Sequence, residues 1–490
     1  MSRMEIHRRI VRVSLALALA SGCSTIYNAR MAQDALAPMG DDGAEAAAAE
    51  RVDFRGASLA ALVDYALTNR PSVVSKALAV HDARLALKAL AADAPVLSET
   101  PWTAPQLSLS AGHSEASDGF KMRDGDWSTR GDPSAAISLE LLIYDFGRYE
   151  AKASAQAEQV VAAELSLADE GASVFREVAE AYFNFYEKRA LLSVAITNEH
   201  QYAEHLQRAE EKRSAGEANR LDVLKARLDL AKARQDVVAA SNLVETTGAT
   251  LMQTLGVDAS RGTWGSAFGT EPVGFDSVRR GFAETDEDVG AAFAFARTNT
   301  PSMRVARAKL RAASHSVDAA IADLYPSISA NASLSWTDPL WVFRWGVSVS
   351  QSIFQGFRKT TAVDRAVVAL ESAAADVDAA EQTLSVELEK AVANRDNSRE
   401  AVTSAVASVR SAAENLETVR EQFAVGSASR VELSEAIADD SQARGDCITA
   451  FYDGQRAEAA LFALTGRAPK FQEELIKENR APQAKEEEKR

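Results

Sequence analysis

His200 and His205 stand five residues apart, a spacing that sends their imidazoles to different sides of a helix and denies them a shared metal ion. Cys23 and Cys447 form neither a disulfide framework nor a CxxC metal pattern. There is no glycine-rich phosphate loop and no G-x-S-x-G elbow. Enzyme chemistry, a metal and a bound cofactor are therefore not expected. The carboxylates are spaced more informatively. Ser429-x-x-Glu432 and Asn219-x-x-Asp222 both have the form of a capping box, which opens a helix. Glu435 follows Glu432 by three residues, so both fall on one helix face. Glu432 also reads as a helix cap alone, and Glu435 as part of a solvated face. Asp222 and Arg430 carry opposite charge at matching places after two glycine turns, Gly216 and Gly426, and an inter-turn salt bridge between them is open. The glycines read first as helix stops.

One thiol has a setting that implies modification. Arg3, Arg8, Arg9 and Arg12 precede a short apolar run at residues 13–20, the layout of a secretory signal and too short to span a bilayer as a helix. The run ends in Leu19-Ala20-Ser21-Gly22-Cys23, which resembles a bacterial lipoprotein cleavage site, with Ala20 where a large aliphatic residue is usual. Cys23 is expected to become an acylated first residue that tethers the mature chain to a membrane surface. The other reading is an ordinary signal peptide with an incidental cysteine.

The elements that must position these residues are long. Of 12 prolines, none lies between Pro133 and Pro272 or between Pro339 and Pro469, so very long helices are expected. Leu221, Leu224, Leu228 and Ala231 keep the 3-4-3 spacing of a coiled-coil seam. A net charge of −16 argues against nucleic acid as a partner. No later run reaches about 18 apolar residues, so no membrane-spanning helix is expected.

The chain is internally duplicated. Ile143-Tyr144-Asp145-Phe146-Gly147-Arg148 reappears 210 residues on as Ile353-Phe354-Gln355-Gly356-Phe357-Arg358. Glu177, Ala181, Asn184, Gly216, Leu251 and Gly256 recur at that offset as Glu387, Ala391, Asn394, Gly426, Leu461 and Gly466. Upstream the offset is 230, pairing Asn69-Arg70-Pro71 with Asn299-Thr300-Pro301. About 20 extra residues in the first copy fall in a polar stretch at 112–133, expected as a loop. Each copy is expected to hold one helix (59–91; 289–324), two strands (106–111 with 136–144; 327–336 with 345–354) and two long helices.

The strands alternate small polar and apolar residues. Ser327, Ser329, Asn331, Ser333 and Ser335 interleave with Ile328, Ala330, Ala332, Leu334 and Trp336, and Ser348, Ser350 and Ser352 with Val347, Val349, Gln351 and Ile353. Such a sheet has one apolar and one watery face. Four strands cannot close a barrel, for which about eight is the lower limit, and an open sheet leaves unpaired edges that lipid does not tolerate. If these strands lie in a membrane, several chains share one barrel. Trp102, Trp336, Trp341 and Trp345 then suit interfacial girdles, or else a soluble core.

Both copies together resemble the outer-membrane factor family, the TolC-like exit ducts of bacterial efflux pumps and type I secretion systems. The resemblance runs from about residue 59 to 466, on the Asn-x-Pro helix start, the strand-end Ile-aromatic motif followed by Arg, and the glycine turn before an acidic-apolar helix start. It implies a mainly α-helical, duplicated chain with four strands. Three copies of that chain give a 12-stranded outer-membrane β-barrel and a long coiled-coil helical tunnel crossing the periplasm. It implies a passive duct that receives substrates from an inner-membrane transporter, with a periplasmic adaptor docking at the Gly216 and Gly426 turns. By matching position, Glu432 and Glu435 fall at the periplasmic aperture, where the family has aspartates, and Asp222 and Arg430 become gating contacts. The family's gating arginine falls nearer Ala428. The domains expected are a signal peptide (1–22), a lipid-anchored linker (23–57), a first repeat (58–256), a linker (257–287), a second repeat (288–466) and a charged tail (467–490). A competing reading is a periplasmic coiled-coil lipoprotein that acts as scaffold or adaptor without a pore.

Overall fold

In the computed structural model, residues 54, 57–91, 94–96, 106–117, 129–216, 219–257, 268, 289–337 and 340–465 are described. All but Phe54 belong to one unit, Arg55–Arg490. The expected signal peptide, Cys23, Trp102 and the charged tail lie outside the described residues, as does nearly all of the two expected linkers.

The first copy runs α1 (Leu59–Asn69), α2 (Pro71–Ala91), β1 (Gln106–Ser117), β2 (Thr129–Tyr144), α3 (Arg148–Ser214) and α4 (Arg220–Thr254). The second runs α5 (Val289–Asn299), α6 (Pro301–Ala322), β3 (Ser327–Thr337), β4 (Leu340–Ser350), α7 (Arg358–Ala424) and α8 (Arg430–Leu464). The duplication is carried into the bounds. Helices α3 and α7 are both 67 residues long and start 210 apart, and α4 and α8 are both 35. At 1.5 Å per residue the long pair reach roughly 100 Å. The single first helix expected in each copy is in fact two. Pro71 and Pro301 force the residues before them out of the helical region, and Arg70 (φ −72, ψ 126) and Thr300 (φ −61, ψ 128) are extended. These breaks dock near the ends of the last helices. A Cβ on Gly256 would lie 3.2 Å from Arg70 Cα, and the Thr300 hydroxyl donates to Leu464 O at 3.0 Å. Arg70 also pairs with Glu177 of α3.

The four strands form one antiparallel sheet in the order β1-β2-β3-β4. Pairing of β2 with β3 joins the two copies, and β1 and β4 are the edges. Leu107, Leu109, Ile137, Leu139, Leu334, Phe343, Trp345 and Val347 share one face in register, and all are exposed, Trp345 to 77%. The other face carries Ser108, Ser138, Glu140, Ser329, Ser333, Arg344 and Ser348. Its hydroxyls pair across strands, Ser108 to Ser138 at 2.8 Å and Ser329 to Ser348 at 3.0 Å.

Two strand expectations are corrected. Residues 112–117 and 129–133 are not loop: pairing continues from Gly112↔Ser134 to Ser117↔Thr129, past Thr337, where β3 ends. A backbone ladder needs no apolar alternation, so the polar composition concealed the strand. The last strand begins at Leu340 and ends at Ser350, so Ser352, Ile353 and Phe354 lie beyond it. There the chain turns into α7 through Gly356 and Phe357, both at positive φ, as it enters α3 through Phe146 and Gly147.

Helix packing joins α3 to α4, α7 to α8 and α3 to α8. One apolar cluster toward the helix turns draws on all four: Tyr202 from α3, Leu230 and Ala233 from α4, Leu416 from α7, and Leu433, Ala436 and Ile437 from α8. The packed seam of α4 is Val223, Ala226, Leu230 and Ala233, also at 3-4-3 spacing. It is not the expected Leu221, Leu224, Leu228 and Ala231, whose three leucines are about half exposed (53%, 50% and 55%). Two seams of equal spacing run along one helix, and this chain fills one of them.

Candidate functional site

The site is the end of the molecule where α3 turns into α4 and α7 into α8. Gly216 and Gly426 each have φ +81. Around Gly426 the chain closes a Schellman motif: Gly426 N donates to Phe423 O at 3.3 Å and Ser427 N to Gln422 O at 2.9 Å. A left-handed residue is needed, and glycine adopts that conformation without strain. Val425 beside it is 81% exposed.

Both expected caps form. Glu432 N donates to Ser429 Oγ at 3.2 Å, and Ser429 N donates to Glu432 Oε2 at 2.6 Å. In the first copy, Asn219 N donates to Asp222 Oδ2 at 3.4 Å. Glu432 is therefore an exposed capping acid. Glu435, also exposed, lines an open groove of about 670 Å³ with Tyr202, Asp229, Asp236 and Ser434. The two acids occupy one face of α8 in different surroundings.

Arg430 is brought to Asp222, as the sequence left open, with Nε 3.8 Å from Oδ1. Its shorter contact is to a residue the sequence reading missed: Nη1 donates to Asp229 Oδ2 at 3.3 Å. Arg430 and Asp229 are largely buried and Asp222 is half exposed, so the Asp229 contact is the stronger link between α4 and α8. A signal was present, because Asp229 follows Asp222 by seven residues and shares its helix face.

Behind this bridge lies His205, 2% exposed, with neither ring nitrogen hydrogen-bonded among the described residues. Its ring meets the Phe423 ring edge-on at 5.7 Å. Burial pushes the imidazole below its ordinary value, and the Arg430 guanidinium pushes the same way, against a smaller opposing pull from Asp229. Lys212 caps the same corner, donating to Phe423 O at 3.3 Å with Nζ 4.2 Å from the ring centroid. The Tyr202 hydroxyl donates to Ser434 O at 3.4 Å, and burial raises its phenol above the usual range. Among the described residues, no group of His, Cys, Asp or Glu is placed to hold a metal ion, and no helix is long and apolar enough to cross a membrane. The arrangement holds helices together by charge and caps.

Comparison with known proteins agrees with this architecture. The family model described as outer membrane efflux protein matches residues 62–257 and 295–467, one segment in each copy. The outer membrane efflux protein BepC of Brucella suis biovar 1 is 23% identical over 350 residues, which cover 70% of this chain and 73% of BepC. Among solved structures, CusC superposes with a TM-score of 0.72 at 20% identity, covering 85% of this chain and 93% of that one. The CmeC outer membrane channel of Campylobacter jejuni gives 0.72 at 18% identity, covering 86% and 89%. Two matched segments, one per copy, account for most of the described residues, and the chain belongs to the outer membrane efflux protein family.

Proposed function

We propose that three copies of this chain close into one passive duct. Edge strand β1 of each copy would pair with β4 of the next, giving a 12-stranded barrel in the outer membrane over a helical tunnel through the periplasm. The observation that carries this is the sheet: four strands with one exposed apolar face and two edges that no other described strand pairs. Neither lipid nor water accommodates that surface in a single copy. Strands β3 and β4 are 11 residues long, and about 9–11 residues cross a bilayer at a tilt. The unfilled leucine seam of α4 supports the same closure, since a neighbouring copy's helices would cover it.

In this reading the duct belongs to a tripartite efflux pump or a type I secretion system. An inner-membrane transporter would deliver substrate, and a periplasmic adaptor would dock at the Gly216 and Gly426 turns. Glu432 and Glu435 of three copies would put six acids around the aperture, a ring that favours cations. Arg430 with Asp222 and Asp229 would hold the closed arrangement until docking shifts it. Cys23 would carry the lipid that anchors the mature chain. The test is reconstitution of the purified full chain in a planar bilayer. Discrete conductance steps are expected. Verified insertion without any step would favour the scaffold reading.

A further inference from the structure

We infer that His205 is an acid-sensitive pin: proton uptake by its imidazole loosens the junction of α3, α4, α7 and α8 at the helix-turn end. The geometry makes the charged ring costlier than the neutral one. The ring is 2% exposed and packs edge-on against Phe423 of α7 at 5.7 Å. Neither nitrogen has a hydrogen-bond partner among the described residues, so a second N–H would add an unsatisfied buried donor to a buried charge. Among the described residues, the charges acting on it are Arg430 from α8, Asp229 from α4, and Arg208 and Lys212 from its own helix, while α7 faces it with the Phe423 ring. Three are cations. The one anion, Asp229, already accepts from Arg430 at 3.3 Å. A proton on His205 therefore competes with Arg430 for Asp229, and Arg430 is the residue that also reaches Asp222.

The direction follows from linkage. The packed junction holds the imidazole below its ordinary value, whereas the loosened form returns it toward about 6.5. The packed form thus binds fewer protons. Its extra stability is complete above that ordinary value and is lost as pH falls below it, by at most about tenfold in the opening equilibrium per pH unit for one proton. Its use, easier opening of the duct in an acidified periplasm, rests on the proposed function; the loosening itself does not.

The test is hydrogen exchange of the full-length protein in detergent, read as protection factors for residues 198–214 and 416–437 between pH 7 and pH 5. A His200→Gln background removes the other histidine of α3, which stands exposed beside Glu204. In that background, protection is expected to fall by up to about tenfold per pH unit below about 6.5. His205→Phe and His205→Leu are expected to abolish the fall, whatever their protection at pH 7. Flat protection in the background protein, or an unchanged fall in either variant, overturns the proposal. Should both variants fail to fold, the background slope decides, because carboxylates titrate mostly below this window. A pH-dependent junction in a protein without conductance steps would leave the pin standing and remove the duct.

Discussion

Replacing Arg430 with Gln removes the cation that joins α8 to α4 and leaves the Asp229 carboxylate without it. Breaking a fully buried pair by removing one partner costs about 3–5 kcal/mol, whereas an exposed pair contributes under about 1 kcal/mol. The Arg430 side chain is 15% exposed and Asp229 is 21% exposed, so the pair lies between these limits. The contact at 3.8 Å to Asp222, 44% exposed, adds little. About 1–2 kcal/mol is expected, a shift of roughly 5–30-fold in local opening. Hydrogen exchange across residues 220–235 and 430–437 measures it. Asp229→Asn relieves the stranded charge, so the double variant is expected to lose about 1 kcal/mol less than the sum of the singles. Protection changed less than about twofold by Arg430→Gln, or strict additivity in the cycle, would refute the bridge as a fastener.

Neutralising Glu432 and Glu435 together to Gln is expected to lower the cation preference of the reconstituted channel, read as a smaller reversal potential in a salt gradient; an unchanged potential removes both from the aperture. Cys23→Ala is expected to abolish labelled palmitate incorporation in cells while leaving a foldable protein, and equal labelling of the variant counts against acylation there. Gly426→Ala is expected to cost about 1–2 kcal/mol from left-handed strain alone, since a Cβ there meets nothing within 4 Å. Gly256→Ala, at φ +82, is expected to cost more, because its Cβ would press on Arg70 Cα at 3.2 Å and Asn69 O at 3.3 Å, backbone that cannot rotate away. Thermal unfolding in detergent orders the three proteins, and a higher Tm for Gly256→Ala than for Gly426→Ala contradicts the packing argument.

Long-range order was legible in the sequence because the chain says everything twice. One offset of 210 predicts that α3 and α7 match, and they do to the residue. The capping boxes at Asn219 and Ser429 were equally legible, since a cap is set by residues three apart. What needed the structure depends on partners distant in sequence. Spacing alone offers α4 two apolar seams, and only packing shows that Val223 and Leu230 turn inward while Leu221 and Leu228 stay outside. The extended first hairpin lacked the alternation that marks a half-buried strand. Spacing from His200 speaks only to metal binding at His205, and its burial against Phe423 comes from a helix more than 200 residues away. Asp229 became visible as a partner once α4 lay beside α8.

Native mass spectrometry of the detergent-extracted full-length protein tests the shared barrel, because one copy presents an apolar sheet face between two edges unpaired among the described residues. Three copies per particle are predicted. A stable particle of one copy, soluble without detergent, would contradict the shared barrel.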